Sequence, residues 1–362
     1  MAKGLDIGTM NIICAEKEGE DVVFMQQRNA FMNLDSSDLT KNMLDISKVL
    51  YIEEEKGISL LGEDAFKFAT IFEKEARRPM SHGIISPTEK EAIPVMKLIV
   101  ERVLGQPRSK NEVLYISTPA NPVDTDMDVL YHKKTMEALA RGLNYDTHVI
   151  DEGLAVVYSE LSDYNFTGIG ISVGAGLTNV TLAYLGTPLM SFSIGRGGDW
   201  IDEQVSKSTG LPKEHVTHRK EKISKLSKQV KIGSPDGAIT IYYNALITYI
   251  LQNLNKRLAK IAPPKVAFPV VVAGGSSLPD GFFEMFEKNL RESKLRIEVS
   301  KIKQARDPLY TVARGCLIAA KTQEEEKKRR GTSSTSPSPL SLTEQNVKGK
   351  TEKKKAQKKN KR

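Results

Sequence analysis

Near the N-terminus runs Gly4-Leu5-Asp6-Ile7-Gly8-Thr9-Met10-Asn11, a strand that carries a carboxylate into a glycine turn. It leads to Ile12-Ile13-Cys14-Ala15 and, past a charged stretch, to Val22-Val23-Phe24-Met25, so the sequence predicts a hairpin. Midway along the chain Gly174-Ala175-Gly176-Leu177-Thr178-Asn179 repeats the device between strand-like segments 168–173 and 180–185. A third site is Val270-Val271-Val272-Ala273-Gly274-Gly275-Ser276-Ser277, a buried strand running into a glycine pair. A tight glycine turn aims several backbone N–H groups at one point, and a hydroxyl adds a donor, which makes a cradle for phosphate. An Asp beside the cradle can hold a hydrated Mg²⁺. A glycine pair after a buried strand lets a flat ring or a phosphate approach the backbone. Two equivalent hairpins and one such strand end imply two related α/β halves closing on one nucleotide. Neither G-x-x-x-x-G-K-[ST] nor a helix-opening G-x-G-x-x-G occurs at these sites.

The remaining pattern alternates strands with helices, which argues for an α/β architecture. After the hairpin a polar, irregular stretch extends to about Ile58. Residues 91–104 have helical spacing (Ile93, Met96, Ile99, Val100, Val103), with Pro94 tolerable only in the first turn. Residues 112–117 form a short strand ended by Thr118-Pro119, 127–143 a helix, 148–150 a strand and 152–161 a helix. Residues 212–230 are basic and helical, and Ile247, Ile250, Leu251, Leu254, Leu258 and Ile261 lie on one helical face.

The chain has 362 residues, which at roughly 150 per domain suggests two domains, and 40% apolar residues, enough for a sizeable core. Cys14 and Cys316 are too few for a disulfide scaffold or a Cys-rich zinc site, and both sit in apolar runs, as buried thiols of a reducing compartment do. No apolar run approaches the ~18 residues that cross a bilayer, and a strand starts directly after Met1-Ala2-Lys3; a cytoplasmic protein is expected. The net charge of +8 is uneven. From Lys327 to Arg362 there are 13 Lys+Arg and 2 Asp+Glu, leaving 40 basic and 43 acidic residues in 1–326. The tail has almost no core-forming residues and reads as disordered. It is either a solubilising tail or an electrostatic arm for anionic membrane, nucleic acid or an acidic protein. The five histidines show no metal-ligand spacing.

The ordered motifs resemble the actin/Hsp70/sugar-kinase ATPase superfamily, closest to the prokaryotic actin-like filament proteins of the MreB and MamK kind. The likeness covers about residues 4–320. Leu61-Gly62-Glu63-Asp64-Ala65 and Arg77-Arg78-Pro79-Met80-Ser81-His82-Gly83-Ile84-Ile85 resemble stretches of the bacterial actins. So do Asp151-Glu152-Gly153-Leu154-Ala155 and Asp307-Pro308-Leu309-Tyr310-Thr311-Val312-Ala313-Arg314-Gly315, their two connecting helices. Gly195-Arg196-Gly197-Gly198-Asp199-Trp200-Ile201-Asp202 is similar to the segment after their second phosphate loop.

The resemblance implies a two-lobed actin-like ATPase fold with two RNase-H-like subdomains and smaller inserted ones. Lobe I would span 1–150 with an insertion about 32–65, lobe II 151–325 with an insertion about 200–265, and a disordered basic tail 326–362. It implies ATP and Mg²⁺ in the interlobe cleft. Gly8, Thr9, Asn11, Gly174, Gly176 and Thr178 would cradle phosphate, and Lys220, Glu221, Gly274, Gly275 and Ser276 would lie against the nucleoside. Asp6 would hold the metal's hydration shell, and Glu152 would orient the attacking water. The residues alone leave other roles open: Glu152 as a helix N-terminal acid, Asp6 as a turn cap, Lys220-Glu221 as a solvated pair. The family's second phosphate loop begins with Asp where this chain has Ser172, so hydrolysis is expected to be slow. The implied function is ATP-dependent polymerisation into filaments; the alternatives are a monomeric Hsp70-like switch or an FtsA-like membrane adaptor.

Overall fold

A computed structural model describes residues 2–47, 49, 51–54, 57–72, 74–223, 225–226 and 233–332. The first strands are β1 (Ala2–Ile7), β2 (Asn11–Glu18) and β3 (Asp21–Arg28), an antiparallel meander rather than a lone hairpin. An insertion follows: β4 (Phe31–Leu34), α1 (Asp38–Ile46), β5 (Tyr51–Glu54), β6 (Gly57–Leu61) and α2 (Glu63–Ile71), with a small sheet ordered β4-β6-β5. The sequence reads much of this stretch as irregular. Its strands are four or five residues long, and α1 buries only Leu44, so neither periodicity has room to show. Next come β7 (Met80–Ser81), β8 (Ile84–Ile85), α3 (Ala92–Leu104), β9 (Val113–Thr118), α4 (Leu130–Gly142), β10 (Asp146–Asp151) and α5 (Glu152–Glu160).

The second half repeats the first. β11 (Gly168–Val173), β12 (Thr178–Tyr184) and β13 (Thr187–Ile194) form another meander. Helices α6 (Gly198–Thr209), α7 (Lys213–Lys222) and α8 (Pro235–Leu258) follow, then β14 (Phe268–Ala273), α9 (Phe282–Glu292), β15 (Val299–Gln304) and α10 (Thr311–Thr332). The expected basic helix over 212–230 is shorter than read: it ends at Lys222, Ile223 is extended, and 227–232 lie outside the described residues. The chain divides into one compact unit, Met1–Glu324, and a C-terminal unit, Glu325–Arg362. Helix α10 runs on to Thr332, so the tail's first residues are helical rather than disordered, and 333–362 lie outside the described residues.

One sheet is ordered β10-β9-β1-β2-β3 and the other β15-β14-β11-β12-β13. In each, the meander's first strand pairs parallel to the next strand outward. Ile169, Ile171 and Val173 face one core and Val271 and Ala273 the other, so these central strands are buried on both faces and read as continuous apolar runs. Helices α3 and α4 cover the outer face of the first sheet, and α6, α8 and α9 that of the second. Between the sheets lie α5 and α10, which cross where a Cβ on Gly315 would collide with the Ala155 carbonyl. This five-layer stack brings the β1–β2 and β11–β12 turns to one cavity.

Candidate nucleotide site

The two turns are built alike. The Gly8 N–H donates to the Asn11 carbonyl and the Gly174 N–H to the Leu177 carbonyl, both at 2.9 Å. Register therefore equates Asp6 with Ser172, Gly8 with Gly174, and Ile13 with Asn179. No hydrogen bond within the described residues takes the N–H groups of Thr9, Met10, Ala175 or Gly176. Both turns line a cavity of about 570 Å³ with Asp6, Glu152, Lys220, Glu221, Gly274, Gly275 and Ser276. The turns also meet each other. A Cβ on Gly176 would collide with the backbone N of Gly83 and stand 2.6 Å from Thr9 Oγ1, and the Gly83 N–H donates to that hydroxyl at 3.1 Å. Only glycine at 176 permits this approach.

At the floor of the cavity Ser117 Oγ donates to Asp6 Oδ1 at 2.7 Å, and Ser172 Oγ donates to Glu152 Oε2 at 3.3 Å. Burial pushes Asp6 up to about 6, against the Ser117 hydrogen bond. Burial, then the nearby Asp6 charge, push Glu152 up to about 8, against the Ser172 and Asn179 side chains. Two half-buried carboxylates that repel each other in this way gain from a proton or from a cation.

Along the wall, Lys220 Nζ donates to the Gly198 carbonyl at 2.7 Å and pairs with buried Asp202 at 2.8 Å. Glu221 takes both terminal nitrogens of Arg28, at 3.0 and 3.2 Å. The two are thus not a solvated charge pair. Ser276 Oγ donates to the Gly174 carbonyl at 2.8 Å, which fastens the third glycine site to the second turn. Gly274 has φ +95°, and a Cβ there would strike the Val173 backbone. Its requirement for glycine is therefore local to the strand end.

The structure gathers Asp6, Gly8, Thr9, Asn11, Glu152, Gly174, Gly176, Lys220, Glu221, Gly274, Gly275 and Ser276 around this cavity. Thr178 does not line it: the residue is buried, and its hydroxyl donates to the Arg196 carbonyl at 2.8 Å. A hydroxyl on the first residue of a strand points to either face with no sequence signal to choose. Ser117 bonds Asp6, Asp202 pairs with Lys220, Asn179 stands opposite Ser172 and Arg28 lines the cavity, four neighbours that the sequence does not single out. Asp202 had a signal, closing the Gly195–Asp202 motif; Arg28 had none, since its partners Glu63 and Glu221 are remote in sequence. Among the described residues no group of three or more His, Cys, Asp or Glu is placed to hold a metal.

A family model described as Volactin matches residues 1–320. The sequence matches none of the curated proteins. Among solved structures, a MamK double helical filament is similar with TM-score 0.67 at 17% identity, over 88% of this chain and 98% of that one. MreB5 of Spiroplasma citri bound to AMPPNP matches with TM-score 0.66 at 16% identity, over 91% and 98%. The ethanolamine utilization protein EutJ from Carboxydothermus hydrogenoformans matches with TM-score 0.51 at 16% identity, over 88% and 89%. The fold is the two-lobed actin-like α/β fold.

Proposed function

This chain belongs to the Volactin family, and from that premise we propose that it binds ATP with Mg²⁺ in the cleft and polymerises into filaments in an ATP-dependent way, with slow hydrolysis. One observation carries the nucleotide reading. Two topologically equivalent turns, each with uncommitted N–H groups, face a single cavity that also holds a half-buried carboxylate pair. Such turns are donor sites for phosphate oxygens. Similar structures support the reading: one MreB5 is bound to AMPPNP, and one MamK is a double helical filament.

In this reading Gly8, Thr9, Asn11, Gly174 and Gly176 hold the phosphates through backbone and hydroxyl donors. Gly274, Gly275 and Ser276 form the flat wall for the nucleoside, with Lys220 and Glu221 above it. Bound Mg²⁺ would neutralise phosphate charge, and Asp6 is the residue to hold its water shell. The fit is chemical: Asp6 and Glu152 are half-buried side by side, and a cation offsets the desolvation of both and the Asp6 charge on Glu152 that otherwise drive proton uptake. Glu152 would orient the attacking water. Ser172 is neutral where its counterpart Asp6 is acidic, which supports slow turnover.

Head-to-tail stacking of a surface that does not close on itself makes a filament. Two buried free thiols fit a reducing cytoplasm. Among the described residues no helix is long and apolar enough to cross a membrane. The basic tail would engage an anionic membrane, nucleic acid or an acidic protein. Sedimentation and electron microscopy of the purified protein with and without ATP test the reading. Pelleting that rises steeply above a threshold concentration, with filaments only in ATP, is expected. Nucleotide binding by a protein that stays monomeric at every concentration would favour the switch reading instead.

A further inference from the structure

We propose that Asn179 is a positioning residue that holds Glu152 and ties it to segment 120–124, the strap joining the two sheets; the inference deepens the nucleotide-hydrolysing reading above and rests on it. Asn179 lies on β12 directly opposite Ser172, so the two side chains share a face of the sheet. Ser172 in turn reaches Glu152 at 3.3 Å. Asn179 is 1% exposed. The Ala120 N–H donates to its Oδ1 at 3.1 Å. A backbone donor at that distance fixes the amide's sense: the oxygen faces the strap, and Nδ2 points away from it. That Nδ2 is buried and makes no hydrogen bond among the described residues. A buried donor without an acceptor is unfavourable. Ser172, its cross-strand neighbour on the same face, reaches Glu152, so that carboxylate is the acceptor this amide is placed to take, and the amide favours its ionised form.

The repeat within the chain separates a demand of the fold from a demand of the site. In the first sheet the equivalent position is Ile13, buried and packed against α10. The same strand pair therefore forms with an apolar residue there. An amide at this place in the second half alone serves what it touches. Closing on Glu152, the amide would also compensate for Ser172 by adding a second neutral donor to the hydroxyl from the same strand pair.

The strap gives this contact a mechanical input. Past β9, Ser193 Oγ donates to the Ala120 carbonyl at 2.7 Å, Val123 N–H to the Ser193 carbonyl at 3.0 Å, and Gly195 N–H to Asp124 Oδ1 at 2.8 Å. A chain leaving the first sheet is thus pinned along β13 of the second, and Asn179 reads its position at Ala120. Rotation of the halves would move the amide and so the Glu152 carboxylate.

The test uses the full chain, two variants at Asn179, Glu152→Ala and the double alanine variant. Asn179→Asp keeps an acceptor for the Ala120 N–H and replaces the donor by a carboxylate oxygen; Asn179→Ala removes both. For Asn179→Asp, affinity for fluorescent ATP should stay within about threefold of the native protein while the single-turnover rate falls about tenfold or more. In nucleotide-free protein, unfolding of Asn179→Ala, Glu152→Ala and the double variant should be non-additive. A native hydrolysis rate in Asn179→Asp overturns the proposal. So do equal losses of affinity and rate with a lowered thermal midpoint, which mark mere packing, and so do additive stabilities. If the native protein binds no ATP, the nucleotide reading fails by itself, and the unfolding cycle still decides whether Asn179 holds Glu152.

Discussion

Glu152 and Asp6 share the floor of the cavity, and their charges set how the nucleotide-free protein responds to pH. Glu152 is raised from 4.5 to about 8 by burial and by Asp6, and Asp6 from 3.8 to about 6 by burial. A carboxyl that binds its proton more tightly folded than unfolded loses stability as pH rises between the two values. Without nucleotide or Mg²⁺, the thermal midpoint should therefore fall between about pH 4.5 and about pH 8. Glu152→Gln keeps the shape and removes the titration. Scanning calorimetry should show it melting above the native protein at pH 8 and with it at pH 5. An unchanged pH slope would place the titrating group elsewhere. Ser172 raises the complementary question of what a third carboxylate does. In Ser172→Asp the added charge faces Glu152 across the present 3.3 Å contact, so the nucleotide-free protein should melt lower. With Mg²⁺-ATP the same charge helps fix the metal's waters, and misplacement of a reacting group can cost ~10²-fold. Single-turnover hydrolysis should rise by about tenfold in that variant. If the native protein already hydrolyses ATP as fast, another residue supplies the charge.

Strand ends and turns carry the site, so the useful substitutions are those that fill the cavity without bending the backbone. Gly274 is a poor choice: its left-handed φ of +95° and the Val173 backbone behind it would turn any side chain into a folding defect. Gly275 is the better probe, because a Cβ there would meet only Leu309 Cδ1, at 3.5 Å, and the residue lines the cavity. Gly275→Leu should leave the thermal midpoint near native and weaken ATP affinity about 10–100-fold, as steric overpacking of ~1–3 kcal/mol implies. Isothermal titration checks it; native affinity in the folded variant would remove the nucleoside wall from this strand end. The same elements show how far sequence reaches. Strand β14 was legible end to end, because a parallel strand buried on both faces is a continuous apolar run bounded by turn residues. The paired glycine turns were legible because turn chemistry is local. The insertion sheet was not, since short half-exposed strands such as β5 carry almost no period. Thr178 was placed on the wrong side of its strand, and Asn179 was passed over, because which face a strand presents is decided by partners more than 50 residues away, such as Ala120.

At the scale of the whole molecule the chain is one motif used twice, and what differs between the copies is what does chemistry. Asp6 answers to Ser172 and Ile13 to Asn179, so one half brings the acid and the other brings neutral donors. The halves are also pinned together across the cleft. Arg28, at the end of β3, takes Glu221 of α7 at 3.0 Å and Glu63 of α2 at 3.2 Å, while Arg78 holds Asp199 of α6 at 3.0 Å. Arg28 and Glu221 both line the cavity, so this pair stands where nucleotide would have to leave. Nucleotide exchange should then depend on breaking it. A partly exposed ion pair contributes ~0.2–1 kcal/mol, and of Arg28's two pairs only the one with Glu221 joins the halves, so release of a fluorescent nucleotide from Arg28→Ala should quicken about 1.4–5-fold. Raised salt should narrow the gap between native and variant, because screening weakens the native latch and leaves the variant little to lose. Glu221→Gln should quicken release in the same sense, and the double variant should add little, since both remove one contact. The thermal midpoint should stay close to native, as the core layers do not involve Arg28. Stopped-flow displacement gives the rates directly, and a native release rate in Arg28→Ala would mean that the cleft opens without parting these residues.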